Sequence, residues 1–253
     1  MRGRGGPFPL PSTLTGMLVA AAVCPCPPLL VPEVAAGAAP ELDPARAACL
    51  DAVGVLAASR PDLLVVVGPG DGSAAGAYPA GAHGSFRGFG VPLDVTLGAP
   101  DPAVPGPRLP DSLAVGAWLL ERARWTGAPV EALAVDGRAP AGKCAGAGRE
   151  LAARADRVAL LVMGDGSACR TVKAPGYLDE RAEAFDARVT EALGAADLAA
   201  LDAVDETLAY DLKAAGRAPW QLLSGAARGA GLGGRLLYED APYGVGYTVA
   251  AWS

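Results

Sequence analysis

Short apolar runs broken by glycine and proline alternate along this chain with stretches of helical period. Met17 to Val23 (MLVAAAV), Asp62 to Val67 (DLLVVV), Val130 to Val135 and Val158 to Met163 (VALLVM) are brief and rich in branched residues. That pattern suits parallel strands buried on both faces better than surface helices. Between them, Asp43 followed by Pro44 opens a helix to about Ser59, in which Ala45, Cys49, Leu50, Val53 and Leu56 recur near a 3.6-residue period. Pro110, Asp111 and Ser112 start another through about Trp125, and Ala145 to Ala155 forms a third. Tyr177 to Leu193 is amphipathic, with Ala182, Phe185, Val189 and Leu193 on one face. Alternation from Val91 to Leu97 predicts a strand at a sheet edge, and Gly234 to Tyr238 and Val245 to Trp252 predict closing strands. Prolines 25, 27, 28 and 32 exclude helix and central strand just after the first strand. This order of strands and helices predicts an α/β fold: one three-layer domain over residues 17–253, with a mostly parallel central sheet flanked by helices.

Residues 1–16 have no strand or helical period and read as a disordered extension, with Met17 a possible start. Half of the 253 residues are hydrophobic and only 19% are charged, which marks a globular chain. A net charge of −6 argues against nucleic acid and anionic membrane surfaces, both of which require a basic face. A small molecule or another protein remains as partner. No run approaches the roughly 18–20 apolar residues of a membrane span. Five cysteines without a convincing export signal read as reduced thiols in a cytoplasmic protein.

Chemistry concentrates in LLVMGDGSACRTVKAPGYLD, residues 160–179, where a buried strand ends in a Gly-rich turn. Open parallel sheets collect ligands at the carboxyl ends of such strands. Asp165 either caps the turn or, with Ser167, grips a polar ligand while Arg170 and Lys173 attract an anion. Cys169 is a candidate nucleophile if those two cations lower its pKa, and otherwise a buried apolar residue. In GPGDGS after the second strand, Gly68, Gly70 and Gly72 form a possible backbone anion nest that lacks the Lys-Ser/Thr ending of a P-loop, which makes Gly70 and Asp71 candidate ligand-binding residues. Cys49 and Cys144 read as packing residues, and His83 as an exposed loop residue.

CPCPPLLVPE after the first strand, DLLVVVGPG, GDGSACRTVKAPGYLDERAEAFD and YEDAPYGVGY occur here in that order. Together they resemble the class III extradiol ring-cleavage dioxygenase superfamily, B-subunit type, and within it the actinobacterial B-subunit-like branch. The resemblance implies a non-haem Fe(II) held by two histidines and an acidic residue, a further histidine for acid/base work, and a homodimer or small partner subunit. Carried over residue by residue, the iron-binding histidines fall on Cys26 and Gly70, the catalytic histidine on Ala168 beside Cys169, and the acidic ligand on Glu239 or Asp240. The chain holds one histidine, so it cannot supply the two imidazoles that this iron site needs. The expectation is a divergent or catalytically inactive member that binds a small polar or anionic ligand or a partner. The alternative is an enzyme with a remodelled Cys-based site at Cys26 and Cys169, where Cys26 with Glu239 or Asp240 would suit Zn or Cu(I). On either reading Cys26, Gly70, Cys169 and the acidic pair should meet at the carboxyl edge of one sheet.

Overall fold

The structure, a computed structural model, describes residues 16–99 and 107–253. Apart from Gly16, the N-terminal extension lies outside the described residues. Strand β1 (Met17–Cys24) leads through short helical turns, including α1 (Pro32–Ala35) and a 3-10 segment (Ala36–Leu42), into α2 (Asp43–Ala58). Then come β2 (Leu63–Pro69), β3 (Gly76–Tyr78), β4 (His83–Ser85), β5 (Asp94–Thr96) and α3 (Asp111–Arg122). They are followed by β6 (Val130–Val135), α4 (Ala141–Ala152) and β7 (Arg157–Met163). Four helices, α5 (Arg181–Ala195), α6 (Leu198–Asp202), α7 (Glu206–Asp211) and α8 (Arg217–Ala227), precede the closing strands β8 (Gly234–Asp240) and β9 (Tyr247–Trp252).

Seven strands form the central sheet in the order β3-β6-β2-β7-β1-β9-β8. The inner four, β6, β2, β7 and β1, are parallel, as their apolar character requires. Strand β9 runs against β1 and β8 against β9, so β8 points the same way as β1. Alternate side chains pack on opposite faces. Ala20, Ala22, Leu64 and Val66 meet the layer of α2 and α3, while Val65, Val67, Leu160 and Val162 meet α4, α5 and α8. The chain leaves β1 and β2 toward the first layer and β6 and β7 toward the second. Because β7 lies between β2 and β1, the topological switch of the sheet falls at the carboxyl end of β7. No helix among the described residues is long and apolar enough to cross a membrane.

The structure departs from the sequence reading in four places. The segment after β1 is not free of helix, since Pro28 and Pro32 take the first positions of one-turn helices, where a missing N–H costs nothing. Residues Asp94–Thr96 pair with β4 in a separate two-stranded sheet and do not edge the main one; β3 does. Helix α4 begins at Ala141, four positions ahead of the expected Ala145, and α5 begins at Arg181, since Tyr177 turns the chain with φ of 64°.

Candidate functional site at the carboxyl edge

The loops after β1, β2 and β7 and the end of β8 all lie at one edge of the sheet, as expected. Their side chains, however, divide into a buried junction and two separate clefts.

The junction sits at the topological switch. Cys26 N–H donates to Asp165 Oδ1 at 2.8 Å, and Gly164 N–H donates to Cys24 O at 2.9 Å, so the exits of β1 and β7 are tied together. Burial raises the Asp165 carboxyl from 3.8 to about 6. Burial, with the Asp165 carboxylate beside it, also holds the Cys26 thiol well above its ordinary value. Asp165 therefore caps across strands and not within its own turn, where Gly166, Ser167 and Ala168 N–H groups donate to Gly246 O, Asp186 Oδ1 and Leu212 O. A thiol kept neutral in this way is a poor metal ligand and a poor nucleophile.

Beside the junction, Ser167 N–H and Oγ donate to Asp186 Oδ1 and Oδ2, each at 2.7 Å, and Arg170 Nη1 approaches Oδ2 at 3.4 Å. Gly166 and Gly246 make room for this carboxylate, since a Cβ on either would stand 2.7 or 2.6 Å from its oxygens. Burial raises the Asp186 pKa, against the hydrogen bonds from Ser167 and Arg170. Ser167 is fully buried and committed to Asp186, so it does not reach a ligand. Sequence reasoning missed Asp186, because an acidic residue beside Phe185 reads as the polar flank of α5. The glycines that cradle it lie 20 residues before and 60 after it, at spacings no local pattern exposes.

Cys169 is also corrected. It is 2% exposed, packs with α5 and α8, and donates its thiol to Leu212 O at 3.5 Å. Burial raises its pKa, and the cations near it are Lys213 and Arg181, not Arg170 or Lys173. Lys173 is exposed and makes no ion pair among the described residues. The five thiols are all free and buried. His83 is exposed, on β4.

A cleft of about 270 Å³ is lined by Arg170, Asp186, Glu239, Asp240, Tyr247 and Thr248. Its three carboxylates against one guanidinium contradict the anion-binding reading of Arg170. A larger cleft of about 760 Å³ opens at the exits of β2 and β6, where Asp71, Asp136 and Asp211 face Arg138, Lys213 and Arg217. Arg217 is 3% exposed and donates to Gly137 O and Ala139 O, both at 2.6 Å, and to Gln221 Oε1 at 2.9 Å. Arg138 lies over the Tyr210 ring at 4.8 Å and donates to its hydroxyl at 2.7 Å.

An iron site of two histidines and a carboxylate does not fit these residues. Gly70 N–H donates to Val135 O at 2.9 Å, and a Cβ at this position would stand 2.7 Å from Ala134 Cβ. The place that would hold an imidazole is filled by β6. Nor does a Cys-based site form, because Cys26 is not brought together with Glu239 and Asp240. Among the described residues, no group of three or more His, Cys, Asp or Glu side chains is placed to hold a metal ion.

Fold and site together define a three-layer α/β protein with ligand-sized clefts at the carboxyl edge of its sheet. The solved structure of an uncharacterized protein from Escherichia coli K12 is similar to this chain, with 18% identity, 92% of this chain and 99% of that chain covered, and a TM-score of 0.52. At that identity the likeness speaks to the fold. No family model matches the chain, and no curated protein matches it.

Proposed function

We propose that this chain is a divergent, iron-free member of the class III extradiol superfamily whose carboxyl edge binds a small polar molecule and does not cleave aromatic rings. The order of the four loop motifs supports the family, and the fold is compatible with it. The observation that carries the iron-free reading is Gly70, whose side-chain space is taken by Ala134. The buried, neutral thiols of Cys26 and Cys169 argue against a remodelled thiol enzyme in the same place. Five free, buried cysteines suit a reducing, cytoplasmic setting. The test is an aerobic assay with catechol and protocatechuate after anaerobic loading with Fe(II). Ring-opened product, read by its visible absorbance, should stay at the level of Fe(II) without protein. Protein-dependent turnover that a chelator abolishes would defeat the proposal.

A further inference from the structure

The larger cleft holds six charged side chains, three of each sign, and none of its cations forms an ion pair with any of its carboxylates. Asp211 pairs outside the set, with Arg181 at 3.5 Å. Asp71 and Lys213 are both exposed, on cleft walls built by the exit of β2 and the turn after α7, and neither makes an ion pair among the described residues. Arg217 cannot move to meet a carboxylate, since two backbone carbonyls and Gln221 fix its guanidinium. Arg138 is likewise held, by the Tyr210 ring and hydroxyl. A buried guanidinium whose hydrogen bonds all go to neutral acceptors leaves a positive potential in the cleft floor. Asp71 and Asp136 supply the opposite sign at the rim. Opposite charges that line one cavity without pairing with each other, even where Asp136 accepts from Arg138 N–H at 2.8 Å on the same loop, are complementary to a molecule that carries both signs.

From this we infer that the cleft is a binding site for a small zwitterion, an amino acid or a molecule of like charge. Its carboxylate lies toward Lys213, Arg138 and Arg217, and its ammonium toward Asp71 and Asp136. The inference rests on the ligand-binding reading above and names the site and ligand class. The smaller cleft does not share this balance, having one cation against three carboxylates.

The experiment is isothermal titration of the full chain, at fixed ionic strength, with the proteinogenic L-amino acids as probes. Each binder is then compared with its decarboxylated amine and its deaminated acid. Saturable binding of at least one amino acid is expected, with the amine and the acid each weaker by about tenfold or more, the loss of one charge-assisted contact. Lys213→Gln and Asp71→Asn, both on exposed side chains, should each weaken binding by a similar factor, and Asp240→Asn in the smaller cleft should not. Absence of binding by every amino acid at millimolar concentration overturns the inference. So does a deaminated acid that binds as tightly as its amino acid, or affinity that survives both substitutions. Those failures leave the iron-free reading standing, because ring cleavage and bound iron decide it independently of this cleft.

Discussion

Asp165 is the residue whose ionisation the fold resists most visibly. Its carboxyl titrates near 3.8 in the unfolded chain and about 6 in the native one, so the unfolded chain gives up its proton first as pH rises. The stability this group contributes is full below about pH 4, declines through the window to about pH 6, and is gone above it. Asp165→Asn keeps an acceptor for Cys26 N–H and removes the charge. It should flatten that window and stabilise the protein at pH 7 by roughly 1–3 kcal/mol, measured by urea unfolding across pH. An unchanged slope in the variant would show that Asp165 is not the titrating group. The thiols give a second test at this scale. Iodoacetamide at neutral pH should leave all five cysteines unmodified in the native protein and label five after unfolding, read by intact mass. Rapid single labelling at Cys26 or Cys169 would expose an activated thiol. Asp165, Cys26 and Cys169 were visible in the sequence as residents of strand exits, but their protonation was not, because burial depends on which helix covers them. Asp186 and Arg217 were invisible for the same reason. Each is a charged residue buried by partners far along the chain.

Elements were more legible than residues wherever hydrophobicity alone decides. Strands β1, β2, β6 and β7 follow from apolar runs that only a sheet covered on both faces can hide. Strand β3 was missed because three residues carry no period, and its pairing with β6 closes the sheet edge instead. Helix α4 was placed late because its first turn, AGKC, has little apolar character and no side chain caps it. What the pattern also concealed is how closely α4 approaches α8. A Cβ on Gly225 would stand 2.5 Å from Ala145 Cα, and one on Gly148 would stand 2.7 Å from Ala226 N. Gly225→Ala must therefore push two backbones apart and should cost about 1–3 kcal/mol in thermal or urea unfolding. Gly54→Ala, on α2 with nothing within 4 Å of the added methyl, should instead stabilise by roughly 0.5–1 kcal/mol. Equal effects at the two sites would mean that the α4–α8 contact is looser than described.

For the whole molecule, the sequence identified the edge of the sheet that carries the polar loops and missed how the edge is partitioned. One site built from Cys26, Gly70, Cys169 and Glu239 or Asp240, with Ser167 and Arg170 beside Cys169 on the same turn, was the natural reading, because all follow strands that point one way. The structure spends Ser167 and part of Arg170 on Asp186, closes position 70 with Ala134, and places the larger of the two clefts at Asp71, Lys213 and Arg217. Restoring the histidines at the family positions should not restore an iron centre. Gly70→His alone forces β6 aside and should lower stability by about 1–3 kcal/mol by thermal unfolding. Wild-type stability in that variant would mean that the strand exit can open.

The most direct measurement is metal content by inductively coupled plasma mass spectrometry, on protein purified without added metal or chelator and again after anaerobic Fe(II) loading and desalting. The account predicts iron, zinc and copper far below one per chain in both samples, with Cys26→Ser indistinguishable from wild type. Iron retained near one per chain, or zinc or copper at that level lost in Cys26→Ser, would contradict it.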